Sequence, residues 1–206
     1  MMLLRKARKK VPDLASQRLV LRQLEPGDQA GYLQLRQENY DWLKEWEPTS
    51  PNGISEPLTY QQLLRRTARA ALEGTGYSWV LALSGARAVP IGQVSVSGVQ
   101  YGAALDASIG YWISQSHAGF GLMPEACALV VDHCFGTLGL HRLEINIRPE
   151  NAPSLAVVRK LGFRDEGVRL AYLHINGAWR DHRTFALTRQ ELNGSLLERM
   201  YENRHI

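Results

Sequence analysis

Between residues 19 and 24 apolar and polar side chains alternate, the period-two pattern of a strand with one buried face. Turn chemistry follows in Glu25-Pro26-Gly27-Asp28, with Asp28 placed to cap a helix running to about Asn39. Residues 42–57 are rich in aromatic, proline and polar positions and read as a loop. Over 59–72 the spacing becomes helical, with Leu63, Leu64 and Leu72 among arginines and Gly74 and Gly76 as the stop. Residues 77–83, 91–97 and 107–114 read as an antiparallel run of strands, the first two joined by a hairpin containing Ser84-Gly85.

Further along, residues 122–138 form the longest apolar helical stretch and 143–148 the strand after it, a passage expected to make a right-handed parallel crossover. Asn151 is placed to cap a helix over 152–161. Residues 170–175 and 179–187 flank Asn176-Gly177, a strong hairpin signal. Thr188-Arg189-Gln190-Glu191 is a capping box expected to open a C-terminal helix. No repeat, low-complexity tract or linker interrupts the chain. The expectation is one α/β (α+β) domain over residues 16–206, with a mixed, mostly antiparallel sheet of about seven strands and four or five helices. A basic, mobile extension over residues 1–15 precedes it.

Composition adds bounds rather than structure. A hydrophobic fraction of 45% with 21% charged residues suits a globular core and argues against disorder. Cys127 and Cys134 fall seven residues apart on one predicted helix, about 10 Å along its axis. A disulfide needs Cα atoms within about 7 Å, so both read as core thiols in a reducing, cytoplasmic compartment. His133 and Cys134 face apart, and no second pair has metal-ligand spacing, so no metal is expected. No apolar run has the length of a membrane span, and none follows the basic start as a signal peptide requires. The net charge of +4 is concentrated in Arg5, Lys6, Arg8, Lys9 and Lys10. This cluster is either a solvated terminus or an arm that touches a ribosome, RNA phosphates or an acidic partner. Without interleaved aromatics it does not support base-specific recognition.

Candidate chemistry gathers in residues 115–163. Gly119 and Gly121 leave a loop free of obstructing side chains just before a helix, where backbone N–H groups can close around an anion. This is not a Walker A loop, because Leu122-Met123 follow Gly121 where Lys-Ser/Thr would stand. Nor does a third glycine complete a dinucleotide fingerprint. His117 beside the loop is a phosphate ligand or an exposed loop side chain. Asn151 and Ser154 set polar groups at the end of the following strand, next to the same opening.

The ordered set of Gly-x-Gly, helix, Leu138-Gly139-Leu140-His141-Arg142-Leu143-Glu144, Pro149-Glu150-Asn151, Ser154 and Lys160-Leu161-Gly162-Phe163 resembles the GNAT acyl-CoA N-acyltransferases. Within them the chain resembles the ribosomal-protein-alanine N-acetyltransferases of the RimJ/RimL branch. That likeness lies in Asn39-Tyr40 through Trp46-Glu47-Pro48, in Gly121-Leu122-Met123, and in residues 175–182; the resemblance as a whole runs from about Arg18 to Arg189. It implies acetyl-CoA in a cleft where two parallel strands splay apart. Ala118, Gly119, Phe120, Gly121, Leu122 and Met123 would bind the pyrophosphate through backbone amides. Tyr111, Trp112, Ile113 and Ser114 would pair with the pantetheine arm and supply an N–H to the thioester oxygen. Asn151 and Ser154 would contact the pantetheine or sulfur end. Fixed backbone donors of this kind stabilise a developing oxyanion without reorganising.

The chain departs from the family pattern in ways that matter for chemistry. Ser116 stands where Gln or Arg is usual, and no Lys or Arg occurs between 115 and 125, so the loop is expected to rely on amides and the helix dipole. The positions that hold a catalytic Glu and Tyr in some relatives are Asn146 and Val158. Where other relatives have an acid before the Asn-Gly hairpin, this chain has Ala171-Tyr172. Glu144 shares the strand face of Asn146 and is a candidate base, directly or through water, or else a structural carboxylate paired with Arg142 or Arg148. Ser154 is a candidate donor to the leaving thiolate, or a helix-start hydroxyl. Trp42, Trp46, Tyr172 and Trp179 are candidates to line an acceptor groove, or ordinary packing. Arg180, Asp181 and His182 read as hairpin structure.

A strong base is not indispensable for one class of acceptor. A peptide α-amine, with a pKa of about 7.7–8.0, is neutral in roughly a tenth or more of molecules at pH 7, whereas a lysine amine near 10.4 is neutral in well under about 0.1%. Proximity to the thioester supplies much of the remaining acceleration. The expected activity is acetyl transfer from acetyl-CoA to the N-terminal amine of a protein, possible ribosomal proteins included. Alternatives are a small amine such as an antibiotic or polyamine, or a catalytically weak acyl-CoA-binding protein that joins ribosomes through its basic arm.

Overall fold

The computed structural model describes residues 11–53 and 58–202, so the basic cluster Arg5 to Lys10 lies outside the described residues. Residues 11–15, read from sequence as part of the extension, belong to the fold. Val11 is buried, Pro12 accepts the Trp79 indole N–H at 2.9 Å, and Leu14–Ala15 (β1) pairs with Leu19–Arg22 (β2). A two-residue strand is too short to leave an alternation in the sequence.

The remaining elements, in chain order, are α1 (Gln29–Glu38), α2 (Tyr40–Leu43), α3 (Tyr60–Glu73), β3 (Gly76–Leu83), β4 (Gly92–Gln100) and β5 (Asp106–Ile113). They are followed by α4 (Leu122–Gly136), β6 (Arg142–Ile147), α5 (Ala152–Leu161), β7 (Arg164–Ile175), β8 (Ala178–Thr188) and α6 (Leu196–Glu202). Eight strands form one sheet in the order β1-β2-β3-β4-β5-β6-β8-β7. Every neighbouring pair is antiparallel except β5 and β6. Among the described residues no helix is long and apolar enough to cross a membrane.

Helix α4 is apolar almost all round, the signature of a helix buried on every side. It joins Leu143, Ile145 and Ile147 of β6, together with Leu19, Leu21 and Trp79, in the main core. The opposite face of the sheet is more polar near its centre, with Gln93, Ser95, Ser97 and Ser108 side by side on β4 and β5. That asymmetry leaves one face closed by a helix and the other open to build a cavity.

Three local expectations are corrected. Asp28 does not cap α1 with its side chain; it closes a single 3-10 turn with Glu25 and pairs with Arg22 at 2.6 and 2.7 Å. The buried Arg22 guanidinium needs that counter-ion more than the helix needs a cap. Part of the segment read as a loop over 42–57 is helical, with α2 followed by a 3-10 turn at Lys44–Trp46. Tertiary bonds fix it: Asn39 accepts from the Gln115 amide at 2.8 Å, and the Trp42 indole donates to the Ile113 carbonyl at 3.1 Å. The capping box at Thr188 forms, yet it closes a 3-10 turn at Arg189–Glu191. Helix α6 starts later, where Asp132 of α4 accepts from the amides of Leu196 and Leu197 at 2.7 and 3.2 Å.

Glu125, fully buried in the first turn of α4, ties three elements together. It accepts from the Ser16 hydroxyl at 2.6 Å, from Arg18 Nε at 2.8 Å and from the Tyr201 hydroxyl at 2.8 Å, and it pairs with Arg18 Nη2. Burial pushes this carboxyl up, but the donors Arg18, Ser16 and Tyr201 outweigh it and hold the group below the usual carboxylate range. A lowered folded pKa gives stability that is complete above the unfolded value of about 4.3 and is lost as pH falls through the folded one. Glu125→Ala should therefore lose about 2 kcal/mol in urea unfolding at pH 7, because Arg18, Ser16 and Tyr201 lose the buried carboxylate they share. The gap between wild type and variant should narrow as the pH drops below about 4. A loss under about 1 kcal/mol at pH 7 would show that the cluster does not hold α4 in place.

Candidate functional site

Strands β5 and β6 pair over only three registers, Asp106↔Arg142, Ala107↔Leu143 and Ser108↔Glu144. Beyond them both strands continue, to Ile113 and Ile147, without pairing to each other. A parallel pair that stops half-way leaves unpaired backbone groups facing an opening. The side of β5 that faces it follows from alternation. The Ser114 amide donates back to Ile91 across β4 at 2.9 Å, so residues 112 and 114 turn their amides to β4, and Tyr111 and Ile113 turn theirs to the opening.

A cavity of about 640 Å³ fills one side of the opening. Its walls include Tyr111, Trp112 and Ile113, then the loop from His117 to Gly121 with Leu122 and Met123 at the start of α4, then Asn151 and Ser154. Gly119 and Gly121 adopt φ of +84° and +71°, the left-handed region that favours glycine. The amides of Leu122 and Met123 open α4 and have no carbonyl one turn earlier to bond. Asn151 Oδ1 accepts the Ser154 amide at 3.1 Å, capping α5 beside the same cavity. Tyr111 donates its hydroxyl to the Ser154 carbonyl at 3.3 Å, and burial pushes the phenol well up, so it stays protonated. Ser114 lines neither this cavity nor the next: its hydroxyl bonds His117 Nδ1 at 2.8 Å and its amide is taken by Ile91.

The loop has a cation that its own sequence lacks. Arg18 of the β1–β2 connection donates from Nη1 to the Phe120 carbonyl at 3.0 Å and from Nη2 to the Gly121 carbonyl at 3.1 Å, while Glu125 holds its other edge. In a trans peptide the N–H points opposite the C=O, so this grip fixes the amides of Gly121 and Leu122 on the far side. Lys160 of α5 lines the cavity as well. The expectation of a loop relying on amides and dipole alone is corrected: positive charge arrives from residues more than a hundred positions before and some forty after.

A second cavity of about 430 Å³ lies beyond the splay. It shares Leu43, Trp46, Tyr111, Trp112, Asn151 and Ser154 with the first. Its floor is the polar sheet face of Gln93, Ser95, Ser97 and Ser108, continued by Asn146 and His182. Its roof is the segment around Glu47 and Pro48, pinned to the β7–β8 hairpin. The Asn176 amide donates to Glu47 at 3.0 Å, the Thr49 amide to His174 at 2.9 Å, and Pro48 bridges Ile175.

Several sequence candidates land elsewhere. Glu144 lines neither cavity; it accepts from Arg142 at 2.7 Å and from Arg169 at 2.9 Å at the last paired register of β5 and β6. Its structural reading stands, with Arg169 rather than Arg148 as second partner. Arg148 instead donates to the Glu45 carbonyl at 2.8 Å and lies 5.0 Å over the Trp46 ring. Asn146 accepts from the Thr184 hydroxyl at 2.8 Å, and Val158 is buried in the core. Trp42 and Trp46 line the first cavity and Trp46 both, whereas Tyr172 and Trp179 line neither. Tyr172 packs on His182 at 6.0 Å and Trp179, exposed, on His174 at 5.5 Å. The register of β7 against β8 shifts twice, with Ala171 at φ +46° and its amide bonded to Asp181, and such shifts change which face a residue takes. His182 is the residue that sequence reasoning set aside and the fold brings to the cavity. Among the described residues no cluster of His, Cys, Asp or Glu has the geometry to hold a metal ion.

Comparison with known proteins places this geometry. Residues 18–164 match the family model described as Acetyltransferase (GNAT) domain. Over 175 residues, 85% of this chain and 90% of the relative, the sequence is 32% identical to the [Ribosomal protein uS5]-alanine N-acetyltransferase of Escherichia coli (strain K12). It is 43% identical over 97 residues to Probable N-acetyltransferase YjcK of Bacillus subtilis (strain 168), a match spanning 47% of this chain and only 54% of that protein. The structure of Mycobacterium smegmatis RimJ in complex with CoA-disulfide superposes with a TM-score of 0.84 at 32% identity, covering 94% of this chain and 93% of that one.

Both cysteines lie in the core of α4, free and buried. Burial pushes the Cys134 thiol up to about 12 and Cys127 higher still, so neither supplies thiolate near neutral pH. In the folded protein neither thiol should react with an aromatic disulfide reagent at pH 8 within minutes, and both should react at once in denaturant. Rapid modification of either in the native state would contradict this packing.

Proposed function

The chain belongs to the GNAT acetyltransferase family, and we propose that it moves the acetyl group of acetyl-CoA to the α-amine at a protein N-terminus, with an alanine-initiated ribosomal protein as favoured acceptor. The observation that carries this reading is the meeting of two cavities at the splay between β5 and β6, sharing Trp46, Tyr111, Asn151 and Ser154. One cavity has anion-binding amides; the other has a polar, roofed floor. A transfer between two bound partners needs such a junction.

The residues present fit acetyl-CoA, which supplies an acetyl group already activated as a thioester. The amides of Gly121, Leu122 and Met123 at the start of α4, with Arg18 and Lys160 nearby, suit a diphosphate. The amides of Tyr111 and Ile113 suit the amide-rich arm that follows it. Asn151 and Ser154 lie where both cavities meet and suit the sulfur end. With Glu144 held by two arginines, the acceptor's own basicity matters, which favours an α-amine over a lysine. Similarity to the Escherichia coli uS5-alanine enzyme supports alanine at the first position.

A panel of acceptors with free-thiol detection tests this. Peptides beginning with alanine should turn over, and the same peptides N-terminally blocked but carrying lysine should be slower by at least about a hundredfold, following the fraction of neutral amine. Turnover with polyamines alone would overturn the acceptor; CoA binding without turnover would overturn the activity. Gly121→Val should raise the KM for acetyl-CoA about tenfold or more, since a β-branched residue strains the +71° backbone by about 1–2 kcal/mol.

A further inference from the structure

His182 sits on β8 two residues before Thr184, whose partner across the ladder is Asn146, so all three share the polar face that floors the second cavity. The ring is buried, yet one nitrogen is free. Nδ1 lies 3.0 Å from the Arg180 carbonyl, which only accepts, so Nδ1 carries the hydrogen and neutral His182 presents a bare Nε2. Nε2 has no hydrogen-bond partner among the described residues, and it is not sealed from solvent, because Asp106 Oδ1 alone is both buried and unpartnered among them. His182 also belongs to the wall of the second cavity.

From this geometry we infer that His182 is the base that takes the proton from the acceptor amine during acetyl transfer, directly or through one water. The inference rests on the acetyl transfer proposed above. The attacking nitrogen forms its bond to the thioester carbon; the carbon–sulfur bond breaks with its electron pair going to sulfur. As the new bond forms the nitrogen becomes far more acidic than a free ammonium, and one proton passes to Nε2 and on to solvent. Starting from the neutral amine, that proton balances the one the released thiolate takes up, so amine and thioester become amide and thiol.

The surroundings keep this imidazole neutral. Burial pushes it below its ordinary value of about 6.5; the Arg180 carbonyl pulls the other way, Arg148 adds to the push, and the carboxylates of Glu150 and Asp181 oppose it without reversing it. From β7, Arg169 is its cross-strand neighbour, but that guanidinium is engaged with Glu144 and with the Tyr172 ring. From the roof, Glu47 faces the same cavity and is paired with Arg36. On β8 itself Arg183 is paired with Asp165. The base is available through the neutral range and is lost as pH falls through the imidazole pKa.

The test joins kinetics to a readout independent of turnover. For an alanine-initiated peptide, log kcat/KM against pH should fall with slope 2 below the His182 pKa in wild type, because amine and imidazole must both be unprotonated. In His182→Gln the slope should be 1 and kcat about a hundredfold lower, with CoA affinity unchanged in calorimetry. Long-range 1H–15N spectra of the wild-type protein should show His182 protonated at Nδ1 and titrating below about 6.5. An Nε2–H tautomer, or a variant that keeps both slope and kcat, would overturn the inference. Absence of CoA release by wild type with every amine would instead overturn the acetyl-transfer reading, and this inference with it.

Discussion

Two strands that stop pairing after three registers set everything else in this fold. A fully zipped β5–β6 pair would satisfy its own backbone and leave no cleft. Because the zipper ends at Ser108 and Glu144, backbone groups of residues 109–113 and 145–147 need other partners, and the sheet opens between its apolar and polar faces. The pairing below the opening is reinforced rather than left to the ladder. Glu144, at the last register, is held between Arg142 and Arg169, and Arg142 also pairs with Glu166. The carboxylate that resembled a catalytic base thus stabilises the root of the splay.

The opening would be of little use without a fixed anion site at its mouth, and here buried charge does the fixing. Glu125 orients Arg18, and Arg18 holds the carbonyls of Phe120 and Gly121. The chain from Tyr201 and Ser16 through Glu125 to the loop couples α6 and the first strands to the glycine turn. A loop without cations of its own can in this way present oriented amides and a nearby positive charge. The other half of the site is built mostly from neutral polar side chains on a sheet face under a strap, with His182 on its floor and Glu47 and Arg148 among its walls.

Much of the architecture was legible because it is written in local chemistry. Asn151 as cap, the Asn176-Gly177 hairpin and the helix opened by Gly121 all follow from neighbouring residues, and each is present. What sequence could not disclose depends on distance or on a shift of phase. Arg18 is a hundred residues from the carbonyls it grips, and no local pattern links them. Tyr172 and Trp179 read as candidates for an acceptor groove because they are aromatic and near the hairpin, but the face each takes depends on the two register shifts between β7 and β8, which no local pattern announces. His182 reads from sequence as hairpin structure, since its proposed role follows from the Arg180 carbonyl that fixes its tautomer and from the cavity whose wall it joins. The absence of Glu and Tyr at Asn146 and Val158 was plain to see in the sequence; the group proposed to compensate was not.

The central claim is that the two cavities are halves of one site, joined at Trp46, Tyr111, Asn151 and Ser154. A conjugate in which CoA is linked through an acetyl spacer to the α-amine of an alanine-initiated peptide measures that claim most directly, by calorimetry against CoA and peptide separately. If the halves are joined, the conjugate should bind at least about a hundredfold tighter than either part alone. Binding no tighter than that of CoA would mean that the second cavity does not receive the acceptor.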